Sequence, residues 1–439
     1  MQSIDTLIDA RWVVPVEPAG TVLEGHSIAI ADGLIAAVLP TPEAHARYAA
    51  AEHVVLADHV LIPGLINLHT HAAMALMRGM ADDLPLMDWL KDHIWPAEAK
   101  HVSADFVRAG TELACAEMLK GGITCMNEMY FFPEAAAQAA LAAGMRASLG
   151  MVVIDFPTAY ASDPDDYLAK GLALRDSLRH EPLLSFCLAP HAPYTVGDAS
   201  FEKIVRYAEE LGLPVHMHVH ETADEIAGAI AKTGIRPLAR LKNLGLLGPQ
   251  LIAVHAVHLT EDEIGLLARH GASVAHCPTS NLKLASGIAP IAQLLDAGVN
   301  VGLGTDGAAS NNRLDMFAEM RLAALLAKGA SGNAQALPAH AALRAATLNG
   351  ARALGLEAKI GSLLPGKAAD LAAINLGATE LQPVYDPVSH LVYAAGREHV
   401  TDVWVAGNHV VNALQFRRLD VPRLETGARL WQNRLRNQD

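Results

Sequence analysis

Two histidines stand at the end of an apolar segment. Residues 60–71 read VLIPGLINLHTH, and the β-prone residues before the histidines predict a buried strand that ends at His69 and His71. Because side chains alternate faces along a strand, both imidazoles point the same way. Two imidazoles on one face are suitable ligands for a borderline metal such as Zn²⁺. An isolated His-x-His pair can also be merely solvated, so the rest of the chain must support the metal site.

Further short apolar runs also end in polar residues. They are PVHMHVHET at 214–222, LIAVH at 251–255, GASVAHCP at 271–278 and GVNVGLGTDG at 298–307, which ends in a carboxylate. Helix-like segments separate these runs. This alternation of strand-like and helix-like segments predicts a barrel of parallel strands, whose carboxyl ends meet at one face and carry the reactive residues.

The elements that position these runs are organised in three segments. Residues 1–58 consist of short apolar runs broken by Gly, Pro and Asp-Gly, which predicts β structure. The same pattern returns from Gly361 onward. Between them we predict a helix over 103–120 with Ser103 as N-cap, a strand over 123–128 and one helix over 338–354. The sequence therefore predicts an α/β protein with a central barrel over 59–360 and a small β domain built from 1–58 and 361–439.

Composition excludes several classes of partner. The 439 residues are 51% hydrophobic and 18% charged, with a net charge of −14 and without a dense Lys/Arg block, which disfavours nucleic acid and anionic membranes. The sequence has neither an apolar run of about 18 residues nor a secretory signal pattern, so we expect no membrane span and a cytoplasmic location. The four cysteines, at 115, 125, 187 and 277, stand singly in apolar segments and are expected to be reduced.

Six motifs along nearly the whole chain resemble the amidohydrolase superfamily. They are PGLINLHTH, HMHVHET, VHAVHL, HCPTSNLKLASG, GLGTDGAASNN and GSLLPGKAADL, in family order. The most similar branch deaminates 5'-methylthioadenosine, S-adenosylhomocysteine and related adenosines. The resemblance implies a distorted (β/α)8 TIM barrel with a β-sandwich formed by both termini. It also implies a small-molecule nucleoside substrate and a homo-oligomer, either a dimer or a tetramer.

The resemblance implies a metal site at His69, His71, His218 and Asp306, with His255 close by. Three imidazoles and a carboxylate suit Zn²⁺, with Fe²⁺ and Mn²⁺ as alternatives. Some members bridge two metals with a lysine on strand four, but the corresponding run at 183–191 has none, so one metal per chain is expected.

The remaining histidines are expected to lie outside the metal site. His216 and His220 share a face with His218 by strand alternation, but the family pattern selects His218, and we interpret His216, His220 and His258 as structural. His276 is left open between a site role and a structural role. His93 and His101 have no context that indicates a function.

By the same resemblance, Glu221 would protonate the purine N1, Asp306 would act as general base and His255 would orient the attacking oxygen. Glu98, 27 residues after His71, would bind the ribose hydroxyls, and His191 would contact the substrate.

Substrate selection depends on the residues near the 5' substituent. An arginine suited to the carboxylate of S-adenosylhomocysteine is missing after the Gly144–Ala147 segment, in which Arg146 looks structural. Met151 and Phe156 predict an apolar lining there. We therefore expect 5'-methylthioadenosine as the best substrate, with S-adenosylhomocysteine and adenosine weaker.

Two alternatives differ from this assignment. One is a hydrolase of s-triazines or another N-heterocycle, such as a guanine- or cytosine-type deaminase. The second is a catalytically inactive, ligand-binding relative, which the intact set of His69, His71, His218, Glu221 and Asp306 disfavours.

Overall fold

The computed structural model describes residues 1–436. The last three residues of the predicted segment 361–439 therefore lie outside the described residues. The described chain forms two eight-stranded sheets, one from both termini and one from the middle of the sequence. This arrangement confirms the predicted fold class, whereas the domain boundaries at residues 58 and 360 stay predictions.

The terminal sheet joins the two ends of the chain. Its strands are β1 (Gln2–Val13), β2 (Leu23–Ala31), β3 (Leu34–Pro40), β4 (Tyr48–Pro63), β13 (Leu371–Asn375), β14 (Val400–Val405), β15 (Asn408–Asn412) and β16 (Gln415–Phe416). Strand β4 pairs in parallel with β1 and antiparallel with β13, so the C-terminal strands extend the N-terminal sheet in the order β16-β15-β14-β13-β4-β1-β2-β3.

The second sheet is a barrel of parallel strands. Each strand pairs with its sequence neighbour, and the barrel closes where Asp306 N donates to His69 O at 2.9 Å. The strands are β5 (Leu65–Thr70), β6 (Ile123–Glu128), β7 (Arg146–Val153), β8 (Leu184–Pro190), β9 (Val215–Val219), β10 (Leu251–His255), β11 (Ser273–His276) and β12 (Asn300–Leu303). The strands of the barrel are almost wholly buried, as expected for parallel strands covered by helices.

Helices separate the barrel strands. The predicted helix after Ser103 is present, and the Ser103 hydroxyl accepts a hydrogen bond from Phe106 N as an N-cap. None of the helices within residues 1–436 is long and apolar enough to cross a membrane. The helices are α1 (Thr41–Arg47), α2 (Leu86–Asp88), α3 (Trp95–His101), α4 (Ala104–Lys120), α5 (Pro133–Ala143), α6 (Pro164–Leu178), α7 (Asp198–Leu211), α8 (Ala223–Thr233), α9 (Pro237–Asn243), α10 (Glu261–His270), α11 (Pro278–Lys283), α12 (Ile291–Asp296), α13 (Ala308–Asn311), α14 (Met316–Ser331), α15 (Ala339–Ala345), α16 (Leu348–Ala353), α17 (Pro387–Tyr393) and α18 (Val421–Arg436), with 3₁₀ turns at Ala72–Met77, Thr379–Leu381 and Arg397–His399 and a π-helical turn at Trp89–Ile94.

The prediction of one helix over 338–354 was wrong. The segment forms two helices, α15 and α16, and Thr347 between them has a non-helical backbone (φ −133°, ψ −95°). The break has a tertiary cause, because Ile66 N of β5 donates to the Ala346 carbonyl at 2.8 Å. Strand β5 therefore uses a carbonyl at the junction between the two helices.

A buried ion pair joins the barrel to the terminal sheet. Arg146 at the start of β7 binds both oxygens of Asp370 at 2.8 and 3.0 Å, and both side chains are buried. The backbone carbonyl of Asp370 also accepts a bond from Gly64 N, which lies between β4 and β5. The structural interpretation of Arg146 agrees with this position.

Candidate active site

Three histidines converge at the carboxyl end of the barrel. His69 is the last residue but one of β5, His71 follows directly after the strand, and His218 lies on β9. One ligand atom from each lies within 4.8 Å of the others. The His69 ring lies 4.7 Å from the His71 ring and 4.9 Å from the His218 ring, centroid to centroid. The structure therefore brings these three predicted ligands together.

In each of these rings Nδ1 is already hydrogen-bonded. His69 Nδ1 lies 2.9 Å from His216 Nε2, His71 Nδ1 contacts the Met129 carbonyl, and His218 Nδ1 lies 2.7 Å from the His191 carbonyl. A metal ligand that binds through Nε2 needs such a partner for its Nδ1–H, which fixes the tautomer and the orientation of the ring. His216 is thus a positioning residue for His69.

The Nε2 atom of His69 is a buried polar atom that has no hydrogen-bond partner among residues 1–436. Burial lowers the pKa of His69 to about 4 and holds the pKa of His218 well below its usual range, so both rings are neutral. Neutral imidazole is the form that binds a metal. The donor set and the unpartnered nitrogen fit a divalent metal.

Asp306 completes this cluster from the loop after β12. Its Oδ1 lies 3.3 Å from Nε2 of both His69 and His71, and its Oδ2 accepts hydrogen bonds from Ser280 and Ser310 at 2.6 and 2.9 Å. Burial opposes ionisation, but the histidines outweigh it and hold the pKa of Asp306 well below its usual range. The carboxylate is therefore charged and faces the histidine nitrogens.

Glu221 and His255 lie beside the cluster. His255 Nε2 is 3.7 Å from Glu221 Oε2, and the Asn281 side-chain amide lies 3.1 Å from His255 Nδ1. Burial raises the pKa of Glu221, although the neighbouring His255 partly offsets it. A raised pKa favours the protonated form of the carboxyl group, which suits a proton donor.

Glu225 positions the turn that carries Glu221. Its two oxygens accept hydrogen bonds from His220 N at 3.0 Å and Glu221 N at 2.8 Å. Sequence reasoning missed Glu225, although Thr222-x-x-Glu225 is the pattern of a capping box. The Thr222 hydroxyl does cap α8. The Glu225 carboxylate, however, binds the backbone N–H groups of His220 and Glu221 instead of that of Thr222.

The prediction from strand alternation that His220 shares a face with His218 was wrong. The backbone of His220 is left-handed (φ +57°), so its ring turns away and bonds the His258 carbonyl and Leu238 N. His258 Nε2 in turn lies 2.7 Å from the Ser286 carbonyl. His255 and Asp306 are also left-handed, at φ +70° and +62°, so unusual backbone is concentrated at these strand ends.

Three further histidines lie apart from the cavity. His276 is buried at the end of β11, and neither of its ring nitrogens has a hydrogen-bond partner within the described chain. His93 is exposed and His101 is half-buried. Among the described residues, none of the three lines the cavity beside the metal ligands.

A cavity of about 640 Å³ opens over the cluster. Glu98 of α3 lies on its wall and accepts a hydrogen bond of 2.6 Å from the Tyr130 hydroxyl. Burial raises the pKa of Glu98 to about 7, against the opposing effect of that bond. His191, which follows β8, also lines the cavity and is fixed through Nδ1 by Thr195 at 2.9 Å.

The rest of the wall is mostly apolar. Phe156 lines the cavity as predicted, together with Trp89, Val152 and Ile154. The prediction for Met151 was wrong, because its side chain packs against Gly171 of α6 on the outside of the barrel. The ionisable acids on the wall are Glu98, Glu221 and Asp306, and among the described residues that line it there is no lysine or arginine.

Comparisons with known proteins agree with this geometry. The chain is 50% identical to the 5-methylthioadenosine/S-adenosylhomocysteine deaminase of Teredinibacter turnerae, over 99% of this chain and 98% of the relative. It is 47% identical to the same-named enzyme of Saccharophagus degradans, over 99% and 97%.

Solved structures share the fold. An adenosine deaminase from Xanthomonas campestris with bound zinc superimposes with a TM-score of 0.98 at 53% identity, over 99% of each chain. The atrazine chlorohydrolase of Arthrobacter aurescens complexed with zinc has a TM-score of 0.90 at 25% identity, over 97% of this chain and 100% of the other. Residues 60–410 match the amidohydrolase family, so the chain belongs to that family.

Proposed function

We propose that this protein is a zinc-dependent hydrolase that deaminates 5'-methylthioadenosine, and more slowly S-adenosylhomocysteine and adenosine, to the inosine-type product and ammonia. One observation carries the proposal: a single cavity joins the His69–His71–His218–Asp306 cluster to Glu98, an acid suited to a ribose diol. The deaminase names of relatives that are 47–50% identical over nearly the full length support it.

His69, His71, His218 and Asp306 would hold one Zn²⁺ per chain. Zinc bound by imidazoles and a carboxylate acidifies a water molecule toward a pKa of about 7 and so supplies hydroxide at neutral pH. The free Nε2 atoms suit any of these divalent metals, and the zinc in two related structures supports zinc rather than Fe²⁺ or Mn²⁺.

The chain's own groups would move the protons. Asp306 accepts the proton of the attacking water, and Glu221 delivers a proton to the purine N1, which makes C6 electrophilic. His255 donates a hydrogen bond to the attacking oxygen. A C6–O bond forms, the proton taken up by Asp306 passes to the amino nitrogen, and the C6–N bond breaks to release ammonia. The remaining proton on the new C6 oxygen returns to Glu221, so the inosine-type product keeps the proton on N1 and both carboxyl groups are restored.

The cavity wall supports a neutral 5' substituent. S-adenosylhomocysteine carries a carboxylate that needs a cationic or strongly hydrogen-bonding partner, and the described lining offers no lysine or arginine. A methylthio group needs only apolar contact, which side chains such as Phe156, Val152 and Ile154 provide. His191 would contact the base or ribose from the end of β8.

The test is a comparison of kcat/KM for 5'-methylthioadenosine, S-adenosylhomocysteine, adenosine, guanine and a chloro-s-triazine, followed by ammonia or chloride release. We expect the three adenosines to be deaminated, with 5'-methylthioadenosine first. A highest value for guanine or the triazine would contradict the proposal. The Glu221→Gln variant supplies the background rate from contaminating deaminases.

Assembly and location are the remaining parts of the proposal. We expect a homo-oligomer, either a dimer or a tetramer, and a cytoplasmic protein. The four cysteines are free and buried, which suits a reducing compartment. Light scattering on the eluting protein gives the mass in solution, and a monomer at micromolar concentration would contradict the oligomer.

A further inference from the structure

A second cluster of metal-binding residues lies on the terminal sheet. Asp9 belongs to β1, His53 to β4 and His45 to α1, the helix that packs on this face of the sheet. His45 Nε2 lies 2.8 Å and His53 Nε2 2.6 Å from the same atom, Asp9 Oδ2. One ligand atom from each residue lies within 4.8 Å of the others.

The surroundings of Asp9 hold this arrangement in place. The Ser27 hydroxyl of β2 donates to Asp9 Oδ1 at 2.6 Å, so the second oxygen remains for the imidazoles. The two rings meet edge to face with centroids 5.0 Å apart. The Asp9 side chain is 13% exposed, but His45 and His53 are 45% and 42% exposed, so solvent reaches the cluster.

We propose that Asp9, His45 and His53 form a peripheral transition-metal site that binds Zn²⁺, in addition to the metal of the barrel. Two imidazoles and one carboxylate are a sufficient protein ligand set when water fills the remaining position. Tetrahedral zinc with ligands at about 2.0–2.2 Å separates its donor atoms by about 3.3 Å. The imidazole nitrogens therefore need to move less than about 1 Å from Asp9 Oδ2, which exposed side chains allow.

This site is expected to be weaker than the barrel site. The barrel cluster is buried and offers four ligands, whereas the peripheral cluster offers three and is open to water. Extensive dialysis should therefore leave one metal per chain and empty the peripheral site. Because it ties β1, α1 and β4 together, bound metal should stabilise the terminal sheet without changing turnover.

The test is a calorimetric titration of the dialysed holoenzyme with Zn²⁺. We expect one further Zn²⁺ per chain in the wild type, and more than about 10-fold weaker binding in His45→Gln and in His53→Gln, since each removes a ligand. His26→Gln is the matched control, because His26 neighbours Ser27 on β2 and faces the opposite side of the sheet. It should bind the second Zn²⁺ as the wild type does.

A thermal melt of the same proteins gives an independent readout. Added Zn²⁺ should raise the apparent Tm of the wild type and of His26→Gln but not of the other two variants. His45 lies on the exposed face of a helix, so His45→Gln should fold even if His53→Gln does not. The absence of a second binding event, or one that persists in His45→Gln, would overturn the proposal.

Discussion

At the scale of single residues, the candidate site depends on which nitrogen of each histidine is free. The Nδ1 atoms of His69, His71 and His218 are occupied by one imidazole and two carbonyls, so Nε2 is left for a ligand. The sequence predicted that His69 and His71 point the same way. It did not predict that His216, interpreted as merely structural, supports His69 directly.

Glu221→Gln should abolish most turnover with the metal retained. An amide of the same shape cannot deliver the proton to N1, and a general acid contributes about 10²–10⁴-fold. We expect a fall of that size in kcat with 5'-methylthioadenosine, measured beside metal content. Glu202→Gln, an exposed substitution on α7, controls for folding. A kcat near that of the wild type with full metal would remove Glu221 from this role.

Asp306→Asn should also lose most activity, but for two reasons. The amide is a poorer ligand and a poorer base, so metal content should fall together with kcat. Elemental analysis separates the two effects, because saturating Zn²⁺ restores occupancy without restoring the base. Full activity after such loading would show that Asp306 only binds metal.

Glu98 should distinguish nucleosides from other heterocycles. A hydrogen bond to a charged group is worth about 1.5–3 kcal/mol, so Glu98→Ala should lower kcat/KM for 5'-methylthioadenosine by roughly 10–150-fold. The loss should largely vanish with a 2',3'-dideoxy analogue, which offers no diol. Equal losses on both substrates would show that Glu98 does not bind the ribose and would favour the triazine alternative.

At the scale of elements, pattern reasoning succeeded where local sequence decides the structure. Capping residues, glycines and apolar runs correctly predicted the N-cap at Ser103 and the strand at 123–128. They also predicted the alternation of strands and helices in the barrel. Pattern reasoning failed where a tertiary contact or an unusual backbone conformation decides the structure. The 338–354 helix breaks where Ile66 N of β5 donates to the Ala346 carbonyl, and His220 leaves the shared face because its backbone is left-handed. Neither the contact nor the left-handed conformation leaves a signal in the local sequence.

The closure of the barrel gives a prediction at this scale. A Cβ on Gly304, just after β12, would lie 2.8 Å from His69 N and 2.9 Å from His69 Cβ. Gly304→Ala must therefore push β12 away from β5 beside a predicted metal ligand. We expect a loss of about 1–3 kcal/mol in stability and weaker metal binding, measured by denaturant unfolding and metal titration.

Gly329→Ala is the matched control for that substitution. Gly329 lies in α14, and an added Cβ there meets open space. Because alanine favours a helix over glycine by about 0.5–1 kcal/mol, this variant should be as stable as the wild type or slightly more so. Equal stability and equal metal binding of Gly304→Ala and Gly329→Ala would mean that the contact of β12 with His69 is not tight.

At the scale of the whole molecule, the terminal sheet and the barrel share one short connection. Gly64 separates β4 from β5 and packs against Thr124, whose Oγ1 would lie 2.1 Å from an added Cβ. Its N–H bonds the carbonyl of Asp370, and the Asp370 carboxylate binds Arg146 of the barrel. The strand that carries His69 therefore starts from a point held by both sheets, so metal binding and overall stability should be linked.

Removal of the barrel metal should therefore lower the stability of the entire chain. A ligand that binds only the folded state stabilises it by about 4.1 kcal/mol at a concentration 1,000 times its Kd. We expect the chelated protein to melt several degrees below the holoenzyme at the same scan rate, and added Zn²⁺ to restore the difference. The His45→Gln variant is the control, because it lacks a ligand of the peripheral cluster and is expected to fold. If the drop in Tm persists in that variant, it arises at the barrel; if chelated and metal-loaded protein melt together, the buried histidine cluster does not hold a metal that stabilises the fold.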